Sequence, residues 1–345
     1  MGKLLIKYGL LHTINKTNQA RESAEILNDF DEIVLSNPND FSVTDRLLYF
    51  EVLNLVKKKV WVYISTTNNQ SYVLNQYMNL YDNFVDIIKP KIDGIINAFS
   101  YFGMLDKLKG FFVDEFGYDY TVKVNTVPQT SRRVNRYWQN HIVNYCHSLG
   151  YPVFVNLWFL DDCFITFAPY YGSPPYLGSN YPLDNDIQSG SLLPESSVGS
   201  GNWRGLDYVL LDSCFWNNDS NSLNLARILY EVGVMRRYYD RVKWACVQGF
   251  NFGNRVSVPN PPDGTLIVDE GFREFIKKYI EIMNLLGVQY VGVSDIDYSA
   301  VSDIVLDIKY DFQSFGICED VWGEREGNKI ILKIKNGGIR AYEIP

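Results

Sequence analysis

Short apolar runs alternate with amphipathic stretches over most of this chain. Eight runs rich in β-branched and aromatic residues recur at the spacing of strand–helix units. Strict alternation of strand and helix predicts a parallel sheet covered by helices, because parallel strands need long crossover connections. The predicted strands are "LLIKYG" from Leu4, "EIVLSN" from Glu32, "VWVYIST" from Val60, "GFFVDE" from Gly110, "PVFVNLW" from Pro152, "DYVLLDS" from Asp207, "VKWACVQG" from Val242 and "QYVGVSD" from Gln289.

Helical patterns separate most of these strands. Two of the predicted helices end in a glycine of the kind that caps a helix. Gly150 and Gly287 each follow a helical stretch and precede a strand. Between residues 70 and 107 there is more helical sequence than one unit needs, so we expect two helices there, divided at Pro90. The remaining predicted helices lie within residues 18–30, 43–59, 130–150, 220–240 and 269–287.

Eight strand–helix units predict an α/β fold of the closed (β/α)8 type, the TIM barrel. An open, doubly wound sheet is the alternative, but the first strand is not followed by the glycine-rich turn of nucleotide-binding sheets. We expect the barrel to occupy residues 1–308, with a long loop after the fifth strand at residues 166–203. Residues 309–345 would form a β extension packed on the barrel, because Asn336, Gly337 and Gly338 separate two apolar runs as in a hairpin.

The composition narrows the range of partners. The net charge is −8, from 40 acidic and 32 basic residues, which argues against nucleic acid as a partner. Five scattered cysteines and three histidines show no metal-ligand spacing, so we expect neither a metal nor a cofactor. No apolar stretch is long enough to span a membrane, and no signal peptide is recognisable at the N-terminus. We therefore expect a cytoplasmic protein, or a component of a particle released without a signal.

Polar residues gather at the ends of the predicted strands, where parallel barrels carry their chemistry. Asp114 and Glu115 end the fourth strand, Asn156 lies near the end of the fifth and Asp212 near the end of the sixth. Because side chains alternate along a strand, Asp114 shares a face with Phe112, which predicts Asp114 in the site and Glu115 at its rim. Paired carboxylates are the groups that cleave glycosidic bonds, one as the acid and the other as nucleophile or base.

We therefore predict Asp114, Glu115 and Asp212 as catalytic residues, and further polar and aromatic residues as ligands of a polysaccharide. Aromatic rings make up 15% of the chain, and such rings commonly stack on sugar faces, although packing in the core explains many of them equally well. Strand-end acids can also cap helices, but capping predicts no concentration of acids on several strands. The predicted substrate-binding residues are Tyr8, Tyr118, Asn156, Trp158, Gln248 and Asp295.

The strand ends "GFFVDEFGYDY", "VFVNLW", "YVLLDS" and "YVGVSD", after "LLIKYGLL" and "DEIVLSN", resemble the spherulin-4-like group of (β/α)8 glycoside hydrolases, relatives of endo-α-1,4-galactosaminidases. The resemblance covers residues 3–298. It implies endo-acting hydrolysis of a galactosamine-containing polysaccharide by Asp on strand four, Asn on strand five and Glu on strand six. These positions correspond to Asp114, Asn156 and Asp212, so the chain departs from the family pattern at Asp212, which is one methylene shorter than Glu.

Two other functions remain open from the sequence. The chain could be a catalytically inactive barrel that binds glycans or assembles into a surface layer or virion, as a homo-oligomer joined through residues 166–203 or the C-terminal hairpin. A metal-dependent enzyme using Asp295 and Asp297 is a third reading, although oxygen ligands alone have no specific spacing here.

Overall fold

The fold is that of a computed structural model of the protein. No helix in the part of the chain that the structure describes is long and apolar enough to cross a membrane. The described residues are 2–7, 19–65, 74–75, 87–116, 121–125, 130–133, 136–156, 207–212, 216–217, 222–224, 231, 235, 242–251, 256–258, 267–295, 321–326, 329–334 and 338–343.

Eight parallel strands close into a barrel, as the alternating pattern predicts. Each strand pairs with its neighbours in chain order, and the first strand pairs with both the second and the eighth, which excludes the open sheet. The prediction of a TIM barrel is therefore confirmed. The strands are β1 (Gly2–Lys7), β2 (Glu32–Leu35), β3 (Val60–Ser65), β4 (Leu108–Asp114), β5 (Val153–Asn156), β6 (Tyr208–Asp212), β7 (Lys243–Phe250) and β8 (Tyr290–Asp295).

Helices lie between the strands and bury their apolar faces against the outside of the barrel. At the start of the second helix, the Ser42 hydroxyl accepts a hydrogen bond from the Asp45 N–H, an N-cap that satisfies one free donor of the first turn. The helices with described bounds are α1 (Gln19–Asn28), α2 (Val43–Leu55), α3 (Lys89–Tyr101), α4 (Arg136–Ser148) and α5 (Glu270–Leu285), with 3-10 turns at Pro38–Asp40 and Leu105–Lys107.

Two of the helix predictions need correction at their boundaries, and a third is tested only in part. Of the two helices expected within residues 70–107, the second is α3, with Pro90 in its first turn, where its missing N–H has no helical partner to lose. The first falls mostly outside the described residues, and Leu74–Asn75 within it is a strand. Thr130–Arg133 is a strand, so α4 starts later than its helical pattern suggested. Ser222–Leu223 is also a strand at the start of another predicted helix, in which residues 231 and 235 are helical.

Small sheets lie outside the barrel, and they are antiparallel except for the parallel pairing of Leu74–Asn75 with Thr121–Asn125. The predicted C-terminal hairpin is confirmed: Lys329–Ile334 pairs with Gly338–Glu343, and Val321–Glu326 adds a third strand that the pattern did not indicate. The predicted loop at residues 166–203 lies outside the described residues. The other short strands are Leu74–Asn75 with Thr121–Asn125 and Thr130–Arg133, Trp216–Asn217 with Ser222–Leu223, and Val256–Val258 with Ile267–Val268.

The interior of the barrel is filled by layers of four side chains, each layer drawn from alternate strands. The pairing register places two layers of aromatic and aliphatic side chains in the middle of the barrel, and most of these side chains are fully buried. Above them, towards the carboxyl ends of the strands, the layers become polar. From the bottom upwards, the two apolar layers are formed by Leu4, Trp61, Phe154 and Ala245, and by Val34, Phe112, Leu210 and Gly292. The third layer is formed by Ile6, Tyr63, Asn156 and Val247. The fourth layer is polar and is formed by Ser36, Asp114, Asp212 and Ser294.

An ion pair between the buried Glu32 and the partly buried Lys109 lies at the bottom of the barrel. The register between β3 and β4 shifts at Lys109, and its ammonium donates to both carboxylate oxygens of Glu32 at 2.6 Å. It also lies over the rings of Trp61 and Tyr208, and the Trp61 indole N–H donates to Glu32 at 2.7 Å. Gly110 follows the shift because a β-carbon there would meet the Pro152 carbonyl oxygen at 2.3 Å. In parallel barrels, polar groups at the amino ends of the strands stabilise the fold, and catalytic residues lie at the carboxyl ends.

Candidate active site at the carboxyl ends of the strands

Two carboxylates and one carboxamide converge at the top of the barrel. Asp114, Asn156 and Asp212 are the last residues of β4, β5 and β6, and all three follow inward-facing residues by two positions. The Asn156 side-chain nitrogen lies 2.8 Å from Asp114 Oδ1 and 3.0 Å from Asp212 Oδ2. Three residues predicted from separate strand ends are thus in direct contact.

The shared nitrogen fixes how far apart the two acids can be. Asn156 Nδ2 carries two hydrogens, so it can donate one to each carboxylate. The two accepting oxygens can be separated by no more than the sum of the two bond lengths, about 5.8 Å. Glycosidases that retain anomeric configuration hold their two carboxyl groups about 5–5.5 Å apart, and inverting enzymes hold them about 6.5–9.5 Å apart. The geometry here is compatible with the shorter spacing.

Tyr63 completes the set of donors around Asp114. Its hydroxyl donates to Asp114 Oδ2 at 3.0 Å, while the Glu115 backbone N–H donates to Oδ1 at 2.8 Å. Burial and the neighbouring carboxylate of Asp114 raise the pKa of the Tyr63 phenol far above its ordinary value, so this hydroxyl stays protonated. Tyr63 was not among the predicted residues. Its position two residues before Ser65, on the inward face of β3, is the signal that could have found it.

Asp114 is poised to hold a proton near neutral pH. Burial raises the pKa of its carboxyl group to about 7, and the negative charges of Asp212 and Glu115 act in the same direction. The hydrogen bonds from the Glu115 N–H and the Tyr63 hydroxyl lower this pKa, but the raising effects dominate. Asp114 and Asp212 are both partly exposed to solvent, so a substrate can approach them.

Two serines share the uppermost layer of the barrel with the acids. Ser294 on β8 lies across the barrel from Asp114, and Ser36 after β2 lies across from Asp212. Ser294 is buried, and its hydroxyl has no hydrogen-bond partner within the described part of the chain. Buried hydroxyl groups are nearly always hydrogen-bonded, so Ser294 is a candidate ligand for a substrate hydroxyl. Sequence reasoning missed both serines because neither residue type is distinctive.

Glu115 lies beside this group rather than within it. Its carboxylate accepts a hydrogen bond from the Ser65 hydroxyl at 2.9 Å, and its backbone adopts a left-handed conformation with φ of 57°. The left-handed residue ends the strand and breaks the alternation of side chains, which agrees with the predicted position at the rim.

Of the remaining predicted ligands, Gln248 is the one with a described side chain, and it is not brought to the acids. Gln248 is buried on the face of β7 that it shares with Trp244 and Cys246, which pack against the helices, and it donates to the Gly249 carbonyl at 3.0 Å. Asp295 ends β8, but its side chain lies outside the described residues, as do Tyr8, Tyr118, Trp158 and Asp297. Their predicted contacts with substrate stay predictions.

No group of three or more histidine, cysteine, aspartate or glutamate side chains in the described part of the chain could hold a metal ion. The two described cysteines, Cys146 and Cys246, are buried, and burial raises the pKa of both thiols, so neither is a reactive thiolate. Comparison with known proteins adds no assignment: neither a protein-family model nor a curated protein sequence matches this chain. The case for a function therefore depends on the geometry of the site.

Proposed function

We propose that this protein is a glycoside hydrolase that uses Asp114 and Asp212 as its catalytic carboxyl groups. The observation that carries the proposal is the single Asn156 amide on β5, which is shared by acids on the two flanking strands, β4 and β6, of a TIM barrel. Barrel enzymes assemble their catalytic residues at this end of the strands. The spacing of the two acids supports cleavage through a covalent intermediate with retention of configuration.

Each residue has a chemical role in this mechanism. Asp114, with a pKa of about 7, gives its proton to the leaving glycosidic oxygen and later takes a proton from water. Because Oδ1 already accepts from the Glu115 N–H and Asn156, the proton belongs on Oδ2, beside the Tyr63 hydroxyl. Asp212 attacks the anomeric carbon as its bond to the leaving oxygen breaks, and water, losing its proton to Asp114, then cleaves the glycosyl ester and frees Asp212. Asn156 holds both carboxyl groups in position.

We propose an amino-sugar polysaccharide as the substrate. The resemblance of the strand ends to the spherulin-4-like group implies a galactosamine-containing polymer. The charge distribution supports the same class, because a protein of net charge −8 with acids at the mouth of its barrel attracts a polymer bearing free ammonium groups. Asp212 is one methylene shorter than the glutamate of the family pattern, so the proposal requires a substrate bound close to β6.

A hydrolysis screen tests this proposal. The purified protein is incubated with partly deacetylated galactosamine polymer, with chitosan and with neutral glucans, and reducing ends are counted over time. We expect release from the galactosamine polymer, and proton NMR of the first product should show the α anomer of an α-linked substrate. Binding of the polymer without release of reducing ends would instead support the inactive glycan-binding alternative.

A further inference from the structure

A sharp turn of the backbone directly after Asp114 sets Glu115 apart from the rest of the site. Among the described residues, Glu115 is the one non-glycine residue with positive φ, at 57°. Side chains with a β-carbon avoid this conformation, and where it persists in a folded protein it is held by its surroundings, often at functional sites.

The turn directs a backbone donor at the acid. The Glu115 N–H donates to Asp114 Oδ1 at 2.8 Å, on the same oxygen that accepts from Asn156 Nδ2 at 2.8 Å. A residue continuing the extended strand would direct its N–H towards a neighbouring strand instead. The peptide between Asp114 and Glu115 directs this N–H at the oxygen, and the left-handed φ of Glu115 lets the chain continue from that peptide to Phe116.

The carboxylate of Glu115 is engaged on the opposite side, towards β3 and α3. It accepts from the Ser65 hydroxyl at 2.9 Å, and Lys91 donates to the Ser65 carbonyl at 3.1 Å. Burial lowers the pKa of the Lys91 ammonium, and the negative charges of Asp40 and Glu115 act in the opposite direction. The acid side chain is therefore anchored away from Asn156 and Asp212.

The next residue fixes the turn from the other direction. Phe116 is fully buried, and its N–H donates to the Asn156 carbonyl at 3.0 Å. Its own carbonyl accepts from the buried Gln139 side chain at 2.6 Å. The backbone from Asp114 to Phe116 is consequently held at both ends by neighbouring elements.

We propose that Glu115 is a positioning residue, which orients Asp114 through its main-chain N–H and is not the second catalytic acid. The inference depends on the proposed function, in which Asp114 and Asp212 carry out the chemistry. In this role the Glu115 carboxylate, hydrogen-bonded to Ser65, stabilises the left-handed turn.

Three variants at one position separate the main chain from the side chain. Glu115→Gln keeps the shape but removes the charge, and Glu115→Gly removes the side chain but accepts positive φ without strain. Glu115→Val removes the carboxylate and also disfavours the left-handed turn, because its β-branched side chain clashes there. Circular dichroism and thermal unfolding of each variant would show that the barrel is folded.

The kinetic outcomes differ for the two roles. If Glu115 positions Asp114, Glu115→Gln and Glu115→Gly keep kcat on the galactosamine polymer within about tenfold, whereas Glu115→Val loses on the order of 100-fold with little change in KM. If Glu115 is a catalytic acid, Glu115→Gln and Glu115→Gly lose about 100- to 10,000-fold, and Glu115→Val is no worse than Glu115→Gly. The second pattern would overturn the inference.

A titration followed by NMR tests the same inference without any substrate, so a failure of the proposed function is distinguishable from a failure of this one. Because the amide donates to Asp114, the proton shift of the residue 115 amide should titrate with the Asp114 carboxyl in wild type, Glu115→Gln and Glu115→Gly. The charged groups that act on Asp114 are Asp212 and Glu115, with Lys91 beside the latter. Glu115→Gln should therefore lower the midpoint. An amide shift that does not follow Asp114 would overturn the inference even in an active enzyme.

Discussion

Replacing Asp114 with asparagine should stabilise the folded protein, and the gain should grow with pH. In the folded protein the pKa of this carboxyl group is about 7, against an ordinary 3.8. A carboxyl group with a raised pKa binds its proton more tightly in the folded chain than in the unfolded chain. Its contribution therefore favours folding at pH below 3.8 and is lost as the pH rises through 7. Asparagine does not titrate, and its amide can accept from Asn156 and donate towards Tyr63.

The size of the effect follows from the two pKa values. Each pKa unit corresponds to about 1.4 kcal/mol, so the raised pKa lowers the stability of the folded protein by about 4 kcal/mol at pH 8, where folded Asp114 is ionised, and by about 2 kcal/mol at pH 5, where folding takes up a proton. These are upper values because Asp114 is partly exposed. Urea unfolding of wild type and Asp114→Asn at both pH values would measure the difference. A variant no more stable than wild type at pH 8, or equally stabilised at both pH values, would refute the reasoning.

Three further predictions concern the neighbours of Asp114 and the base of the barrel. Tyr63→Phe removes a donor to the ionised Asp114, so the carboxyl pKa should rise above that of wild type, which NMR titration would detect; an unchanged or lower midpoint would contradict this hydrogen bond. Asn156→Ala removes two charge-assisted hydrogen bonds worth about 1.5–3 kcal/mol each, and kcat/KM should fall at least about 100-fold, with Asn156→Asp no better because it adds a third acid. Lys109→Met leaves the Glu32 carboxylate buried without its cationic partner, so the free energy of unfolding in denaturant should fall by about 3–5 kcal/mol. The double variant Glu32→Gln with Lys109→Met should recover part of this loss. Equal losses in the single and double variants would contradict the ion pair.

The barrel could be predicted from the sequence because its signal is periodic and repeated. Each of the eight apolar runs became a strand of the closed sheet, since a strand buried on both faces needs a continuous apolar segment. Local exceptions escaped this signal. Thr130–Arg133 lies in a helical pattern but pairs with Thr121–Asn125, a contact that its own sequence does not encode.

The acids of the site could also be predicted, but not their environment. Strand phase placed Asp114 inward, and the shared bond with Asn156 joins the residues expected on strands four, five and six. The same argument predicted Glu115 as a catalytic residue and Gln248 as a substrate ligand, because both lie at predicted strand ends. The side-chain direction of Glu115 depends on a left-handed turn, and that of Gln248 depends on the phase of β7. Strand phase could have placed Tyr63 on the inward face of β3, but its contact with Asp114 depends on the register between β3 and β4, which only the assembled sheet defines.

The initial rate of hydrolysis of a galactosamine-containing polysaccharide, compared among wild type, Asp114→Asn and Asp212→Asn, tests the central claim most directly. If these two carboxyl groups form the catalytic pair, each substitution should lower kcat by about 1,000-fold or more while the protein stays folded and still binds the polymer. If either variant keeps its rate within about tenfold of wild type, that residue is not a catalytic carboxyl group, and the proposed mechanism is wrong.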